Sequence, residues 1–126
     1  MTSKKSALFL IVFLMTLFII SCASSQSRFV YLNDGVKLSP KSTNAEIFVF
    51  KDGNVPERPF EKIVRLDVHL EKSHFVGSDL DNAMPLLLKQ ARQAGVDGII
   101  EIRERFSRVA ETKIYHVTAI GIIFTD

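Results

Sequence analysis

The 126-residue sequence contains one cysteine, Cys22, and no tryptophan. A single cysteine excludes a disulfide within the chain and any metal site built from several thiolates, so the fold must rest on its apolar core. The sequence also lacks a glycine-rich phosphate loop, a Gly-x-Ser-x-Gly motif and a His-Glu-x-x-His motif. Without a recognisable catalytic motif, we expect neither an enzyme nor a bound cofactor.

An excess of one charge is also missing. The chain has sixteen basic and fourteen acidic residues, and two of the basic ones are Lys4 and Lys5 in the first segment. Without those two lysines the remaining chain has fourteen charges of each sign. Binding of nucleic acid needs basic residues in excess on one surface, so we do not expect a nucleic-acid partner.

A long apolar run is present only near the start. Residues 7–20 are apolar except for Thr16. Fourteen residues are fewer than the roughly 20 that a membrane-spanning helix needs. A basic start followed by a short apolar run and small residues is typical of a secretory signal peptide. We therefore predict a signal peptide over residues 1–21; the alternative is an uncleaved membrane anchor.

The end of this segment resembles a bacterial lipobox, since residues 19–22 are Ile, Ile, Ser and Cys. The resemblance implies that Cys22 is diacylglycerylated, that cleavage precedes it, and that its new amine is acylated, for example with palmitate. Several acyl chains hold a protein stably on a membrane. Ala23 follows the cysteine in place of Asp, which implies sorting to the outer membrane of the bacterial cell envelope, with the domain in the periplasm or at the surface.

The composition of the remaining chain predicts two regions. Residues 22–45 would comprise the lipidated cysteine, a Ser-rich flexible tether over 23–27 and an N-terminal arm, in which 28–32 are typical of a short strand. Residues 46–126 would form a single domain.

One helix is predicted at residues 81–94, where apolar residues recur at spacings of three and four. Pro85 fits only the first turn, which places the N-cap at Asp81 or Asn82. Gly95 is the expected residue after the helix.

Strands are predicted on either side of this helix. Residues 62–71 alternate between apolar and polar, with Val64, Leu66, Val68 and Leu70 on one face. Residues 96–106 and 113–124 would form a closing hairpin, with Gly121 at a bulge or close approach. The sequence predicts an α+β fold: a mixed sheet of about four strands with one amphipathic helix on one face, in which a strand-helix-strand crossover joins a parallel pair and precedes the hairpin.

A second resemblance rests on residues 59–64 entering a strand, residues 87–95 ending a helix as Ala-x-x-x-Gly, and residues 96–100 after it. These stretches resemble the YbjQ-like domains and the RcsF-type envelope lipoproteins. The resemblance implies a small envelope domain with no inherited active site. RcsF-type domains carry disulfides that this chain cannot form, and the metal ligands suggested for YbjQ-like domains have no counterpart cluster here.

The strand pattern also predicts a candidate interaction face on the sheet side that points away from the helix. Ile63 and Ile99 would provide its apolar centre, and the N-terminal arm or a second copy of the chain would cover it. Its polar members are predicted to be Arg65, Asp67, His69, Glu101, Arg103 and Arg105. Such charges are equally typical of a solvated face with cross-strand pairs.

Other polar residues have simpler interpretations. His69, His74 and His116 do not form a local ligand set, so no metal site is predicted. Asp79 and Asp81 are explained by helix capping.

From these observations we predict a membrane-anchored envelope lipoprotein that acts as a non-enzymatic interaction or sensor module. Its partner would be an envelope protein or a second copy of the chain. The alternative is a small-ligand or metal-binding domain that works as a homo-oligomer.

Overall fold

The computed structural model describes residue 4, residues 25–71 and residues 78–126. Cys22, His74 and the predicted signal peptide apart from residue 4 lie outside these ranges. The described residues form a five-stranded sheet in the order β1-β3-β5-β4-β2. Its elements are β1 (Ser25–Tyr31), β2 (Phe48–Val49), β3 (Phe60–Glu71), helix α1 (Leu80–Ala94), β4 (Gly98–Val109) and β5 (Thr112–Phe124).

The predicted α+β class with a mixed sheet and one helix is confirmed. β3 and β4 both pair antiparallel with β5, so they run parallel to each other, as predicted for the strands that flank the helix. They are not neighbours, however, because β5 lies between them. β5 pairs with β3 along one edge and with β4 along the other, so it is the central strand of the sheet. The parallel neighbour of β4 is the two-residue strand β2.

The fifth strand comes from the N-terminal arm. β1 pairs antiparallel with β3 from Ser25 to Tyr31, which confirms a strand in this region. The prediction that residues 23–27 form a flexible tether fails from Ser25 onward, because that residue already lies opposite Leu70. Ladder hydrogen bonds outweigh the low strand preference of serine and glutamine here. The folded unit therefore starts well before the predicted boundary at residue 46.

The core lies between the sheet and α1. The alternating apolar residues of β3 face the helix, as predicted, and are at most 2% exposed. They pack in one cluster with Leu87 of α1 and with Tyr115 and Val117 of β5. Burying a side chain of this size contributes about 1.5–3 kcal/mol.

Two bulges change which isoleucines face the helix. The register slips between Lys62 and Val64 in β3 and between Ile100 and Arg103 in β4. Ile63 and Ile99 both belong to the helix-side core cluster, so the prediction that they form the apolar centre of the opposite face is wrong. Ile100 is fully buried but lies outside that cluster.

The bulge in β4 also explains why the charged residues still emerge where they were predicted. Glu101 has a φ of 52°, a left-handed backbone that side chains rarely adopt. The extra residue in the bulge brings the alternation of β4 back to the predicted one, so Arg103 pairs with Thr118 of β5 on the open face.

Helix α1 starts earlier than predicted. Asp79 is its N-cap and accepts a hydrogen bond at 2.9 Å from the backbone N–H of Asn82, so the predicted caps Asp81 and Asn82 are wrong. Pro85 consequently lies beyond the first turn. The cap and the burial of Ala83 stabilise this extra turn, although the proline donates no helical hydrogen bond. No helix among the described residues combines the length and hydropathy required to cross a membrane.

The remainder of the arm packs at the C-terminal end of α1. The Lys41 N–H donates to the Arg92 carbonyl at 2.8 Å, and the Arg92 guanidinium donates to the Ala45 carbonyl at 2.8 Å. Tyr31 donates its hydroxyl to the Ala94 carbonyl at 3.1 Å. Gly95 follows the helix in the left-handed conformation, as predicted. These contacts place the arm on the helix side. The arm was one of the two predicted occupants of the opposite sheet face, and it does not cover that face.

Candidate functional site

The sheet face that points away from α1 carries two polar cross-strand rows. Side chains that oppose each other in an antiparallel pair share a face. The first row joins Asp67 of β3, Thr118 of β5 and Arg103 of β4, and the second joins His69, His116 and Arg105 in the same order. The three central strands thus bring residues from distant parts of the chain to one place.

These two rows border a shallow depression of about 460 Å³. Five of the six predicted face residues line it, and the sixth, Glu101, lines an adjoining depression of about 250 Å³ together with Arg65 and Arg103. The structure therefore brings the predicted polar set together. The lining residues of the larger depression are Arg65, Asp67, His69, Arg103, Glu104, Arg105, His116 and Thr118.

His116 and Thr118 were not assigned to this face from the sequence. A signal for them existed, because they alternate in β5 with the buried Tyr115 and Val117. The register of β5 against β3 and β4 then determines which cross-strand rows these two residues complete. His116 lies against His69 with ring centroids 4.4 Å apart and an interplanar angle of 79°.

The only carboxylate that the two rows supply is Asp67, and it is largely buried, with 15% of its side chain exposed. Its Oδ1 lies 2.8 Å from His69 Nε2 but has no hydrogen-bond partner with acceptable geometry among the described residues. The contact is therefore electrostatic and strengthens when His69 is protonated. From the helix side the buried Gln90 amide accepts from the Asp67 N–H at 3.1 Å and donates to its carbonyl at 2.8 Å, which fixes this position in β3.

The arginines of this face are incompletely neutralised. Arg65 lies 3.8 Å from Asp67, but within the described ranges neither Arg103 nor Arg105 has a carboxylate within 4 Å. Glu104 does not compensate, because it opposes Val117 on the helix side and accepts a hydrogen bond from the buried Tyr115 hydroxyl. The depression therefore presents more positive than negative charge and suits an anion.

A serine–histidine contact at the edge of this face raises the question of nucleophilic chemistry. Ser107 Oγ and His116 Nε2 are 2.6 Å apart. A nucleophile of this kind requires a third group that orients the imidazole through its other nitrogen. His116 Nδ1 has no hydrogen-bond partner among the described residues, so this contact does not constitute a catalytic triad.

Comparison with known proteins informs the fold and leaves the site open. No protein family model matches the chain, and no curated protein matches it. The crystal structure of the Francisella virulence factor FvfA, in an orthorhombic form, is similar to 82% of this chain and 100% of that chain, with a TM-score of 0.54 and 14% sequence identity. At this identity the similarity establishes a shared fold. Within the described part of the chain no group of three or more His, Cys, Asp or Glu residues is placed to hold a metal ion.

The protonation of His116 leads to a testable pH dependence. Burial lowers the pKa of His116 below 6.5, His69 and Arg105 lower it further, and Asp67 opposes them. As the pH falls through 6.5, the unfolded chain takes up a proton that the folded protein resists, so stability is lost until the folded pKa is reached. We expect His116→Gln to reduce the loss of stability between pH 7.5 and pH 5.5.

Urea unfolding midpoints of parent and variant at the two pH values would measure this effect. The pH window lies above the ordinary titration range of carboxylates, which limits their contribution. The charged and titratable groups that face His116 are His69 and Asp67 from β3 and Arg105 from β4, and all of them remain in the variant. An identical pH dependence in the two proteins would show that His116 is not held neutral.

Proposed function

We propose that the chain is a lipid-anchored protein of the bacterial envelope whose open sheet face binds another envelope component without catalysing a reaction. The observation that carries this proposal is the pair Arg103 and Arg105, which is exposed, lines a depression in the sheet and has no carboxylate within 4 Å among the described residues. Arginine is enriched at binding surfaces, where its guanidinium forms several directed hydrogen bonds. A merely solvated face would more usually pair its charges across strands.

Anchoring is supported by the apolar run and by the lipobox that ends at Cys22. We expect Cys22→Ser to abolish acylation and to leave the uncleaved precursor, because the serine hydroxyl does not replace the thiol that receives the diacylglyceryl group. Metabolic labelling with a fatty acid, followed by isolation of the protein, measures the effect. Undiminished label in the variant would refute lipidation at this residue.

The binding role is tested by crosslinking in native membranes, with recovery of the tagged protein. A specific crosslinked partner is expected from the parent and should be lost from Arg103→Glu/Arg105→Glu while the melting temperature is kept. Arg108→Glu is a suitable control, because Arg108 is exposed on the same strand with the opposite alternation. Unchanged partner crosslinks would exclude the open face. Self-crosslinks alone would favour the alternative of a homo-oligomeric ligand-binding domain.

A further inference from the structure

We infer that the depression between β3, β5 and β4 is a phosphate-binding site that engages phosphate groups at the membrane surface through Arg103 and Arg105. This inference deepens the proposed function, since it rests on the lipid anchor and names what the open face recognises. The charge of the depression, the spacing of its arginines and its position relative to Cys22 together support a phosphate ligand.

The groups that face the depression carry more positive than negative charge. Three guanidinium groups line it together with the carboxylates of Asp67 and Glu104, and of these two only Asp67 lies in the cross-strand rows of the open face. Arg28 of β1 opposes Asp67 in register and adds a fourth exposed arginine to this side of the sheet. Arg65 and His69 are the basic residues nearest to Asp67. Within the described ranges no carboxylate lies within 4 Å of Arg103 or Arg105, so these two arginines remain available to an anion.

The spacing of Arg103 and Arg105 along β4 suits a single phosphate group. Residues two apart in a strand project from the same face about 6.6 Å apart. Two long side chains with that separation can converge on one tetrahedral anion, and each planar guanidinium can donate two parallel hydrogen bonds to phosphate oxygens. The Thr118 hydroxyl lies opposite Arg103 in the same row and supplies a further donor. A metal ion is disfavoured by the same surroundings, since cationic groups dominate them.

The start of β1 lies close in sequence to the predicted lipid anchor. Ser25 is the first residue of that strand, so only residues 23 and 24 separate it from Cys22. Gln26, four residues from Cys22, opposes His69, and the row continues from there through His116 to Arg105, with about 4.8 Å between neighbouring strands. Four extended residues span at most roughly 14 Å. An acylated Cys22 would therefore hold this end of the sheet close to the headgroup layer, where phosphate groups are concentrated.

The experiment uses the full acylated chain in zwitterionic detergent micelles and follows the Nε–H resonances of its arginines by NMR. One arm adds sodium phosphate in place of sodium chloride at constant ionic strength. A second arm adds phosphatidylglycerol to the micelles without free phosphate. Arg103→Gln/Arg105→Gln is compared with Arg108→Gln/Lys89→Gln, which removes the same charge from exposed positions outside the depression.

We expect saturable shifts of Arg103 and Arg105, and an affinity at least about tenfold lower in Arg103→Gln/Arg105→Gln than in the parent and the control variant, because charge-assisted hydrogen bonds are lost. Saturable shifts in the lipid arm identify the headgroup as the source and support the inference. Shifts in the phosphate arm alone identify soluble phosphate and overturn the engagement of the membrane surface. Shifts that do not saturate, or that weaken equally in both double variants, would overturn the inference.

The outcome also separates this inference from the proposed function. If phosphate does not bind but the charge-reversed variant still loses its crosslinked partner, the face recognises a protein and the phosphate site is wrong. If phosphate binds and the partner crosslinks persist, the site stands and the protein-binding role of this face falls.

Discussion

Gly95→Ala is expected to destabilise the domain by at least about 2 kcal/mol. Gly95 has a φ of 78°, and a side chain in this left-handed region costs about 1–2 kcal/mol. A Cβ at this position would also lie 2.4 Å from the backbone carbonyl oxygen of Ser39 and 2.9 Å from Leu38 Cβ. Because a backbone atom cannot rotate away, the arm would have to move off the end of α1.

Gly53→Ala provides a matched control for this prediction. Gly53 has nearly the same φ, 75°, but no atom lies within 4 Å of the position that a Cβ would occupy. Its substitution should therefore cost only the conformational term of about 1–2 kcal/mol. Urea unfolding gives both values, and hydrogen exchange of the Lys41 N–H, which bonds to the Arg92 carbonyl, reports whether the arm has moved. Equal losses in the two variants would show that the arm does not pack tightly on Gly95.

The close approach at Gly95 illustrates what the sequence could and could not predict. A glycine after a helix with an apolar stripe predicts a left-handed C-terminal residue by local chemistry alone. The contact with Ser39 depends on where a segment 56 residues earlier folds back, and no local pattern encodes it. The same reason explains why the sequence did not place the arm, although it predicted the strand in the arm's first residues.

The isoleucines of β4 show a second limit. Strict alternation predicts that Ile99 faces away from the helix and therefore that its neighbour Ile100 faces the helix, and the structure reverses both. A bulge shifts by one residue which side chains face the helix. This bulge lies in the pairing of β4 with β5, so the alternation pattern of β4 alone does not show it. Arg103 lies beyond the bulge, so its predicted face was correct even though that of Ile99 was not.

The candidate site was predictable to the extent that it depends on alternation within single strands. Arg65, Asp67 and His69 share a face because they are two residues apart in β3, which the sequence shows directly. Their contact with His116 required the register between β3 and β5, since a slip of one residue would direct His116 into the core. Within the described ranges no carboxylate lies within 4 Å of Arg103, and this too depends on how the three strands come together.

Leu87→Ala and Ile100→Ala are each expected to cost about 2–5 kcal/mol of unfolding free energy, although the two residues support opposite sides of the sheet. Both are fully buried, and Leu87 belongs to the helix-side cluster while Ile100 lies outside it. Val109→Ala is the control, because that aliphatic residue of β4 is 63% exposed and its truncation should change stability by less than about 0.5 kcal/mol.

The separation of the two sides is tested by combining Leu87→Ala with the milder Ile100→Val, which alone should cost about 0.5–1.5 kcal/mol. Residues without shared partners have additive effects to within about 0.5 kcal/mol, and residues in contact deviate by 0.5–3 kcal/mol. We expect additivity, measured from urea unfolding of the parent, both single variants and the double variant. The conservative valine keeps the double variant folded within a total stability of about 5–15 kcal/mol. A large interaction energy would place Ile100 against Leu87 on the helix side, and an unchanged midpoint for Leu87→Ala would mean that α1 does not pack on the sheet through this residue.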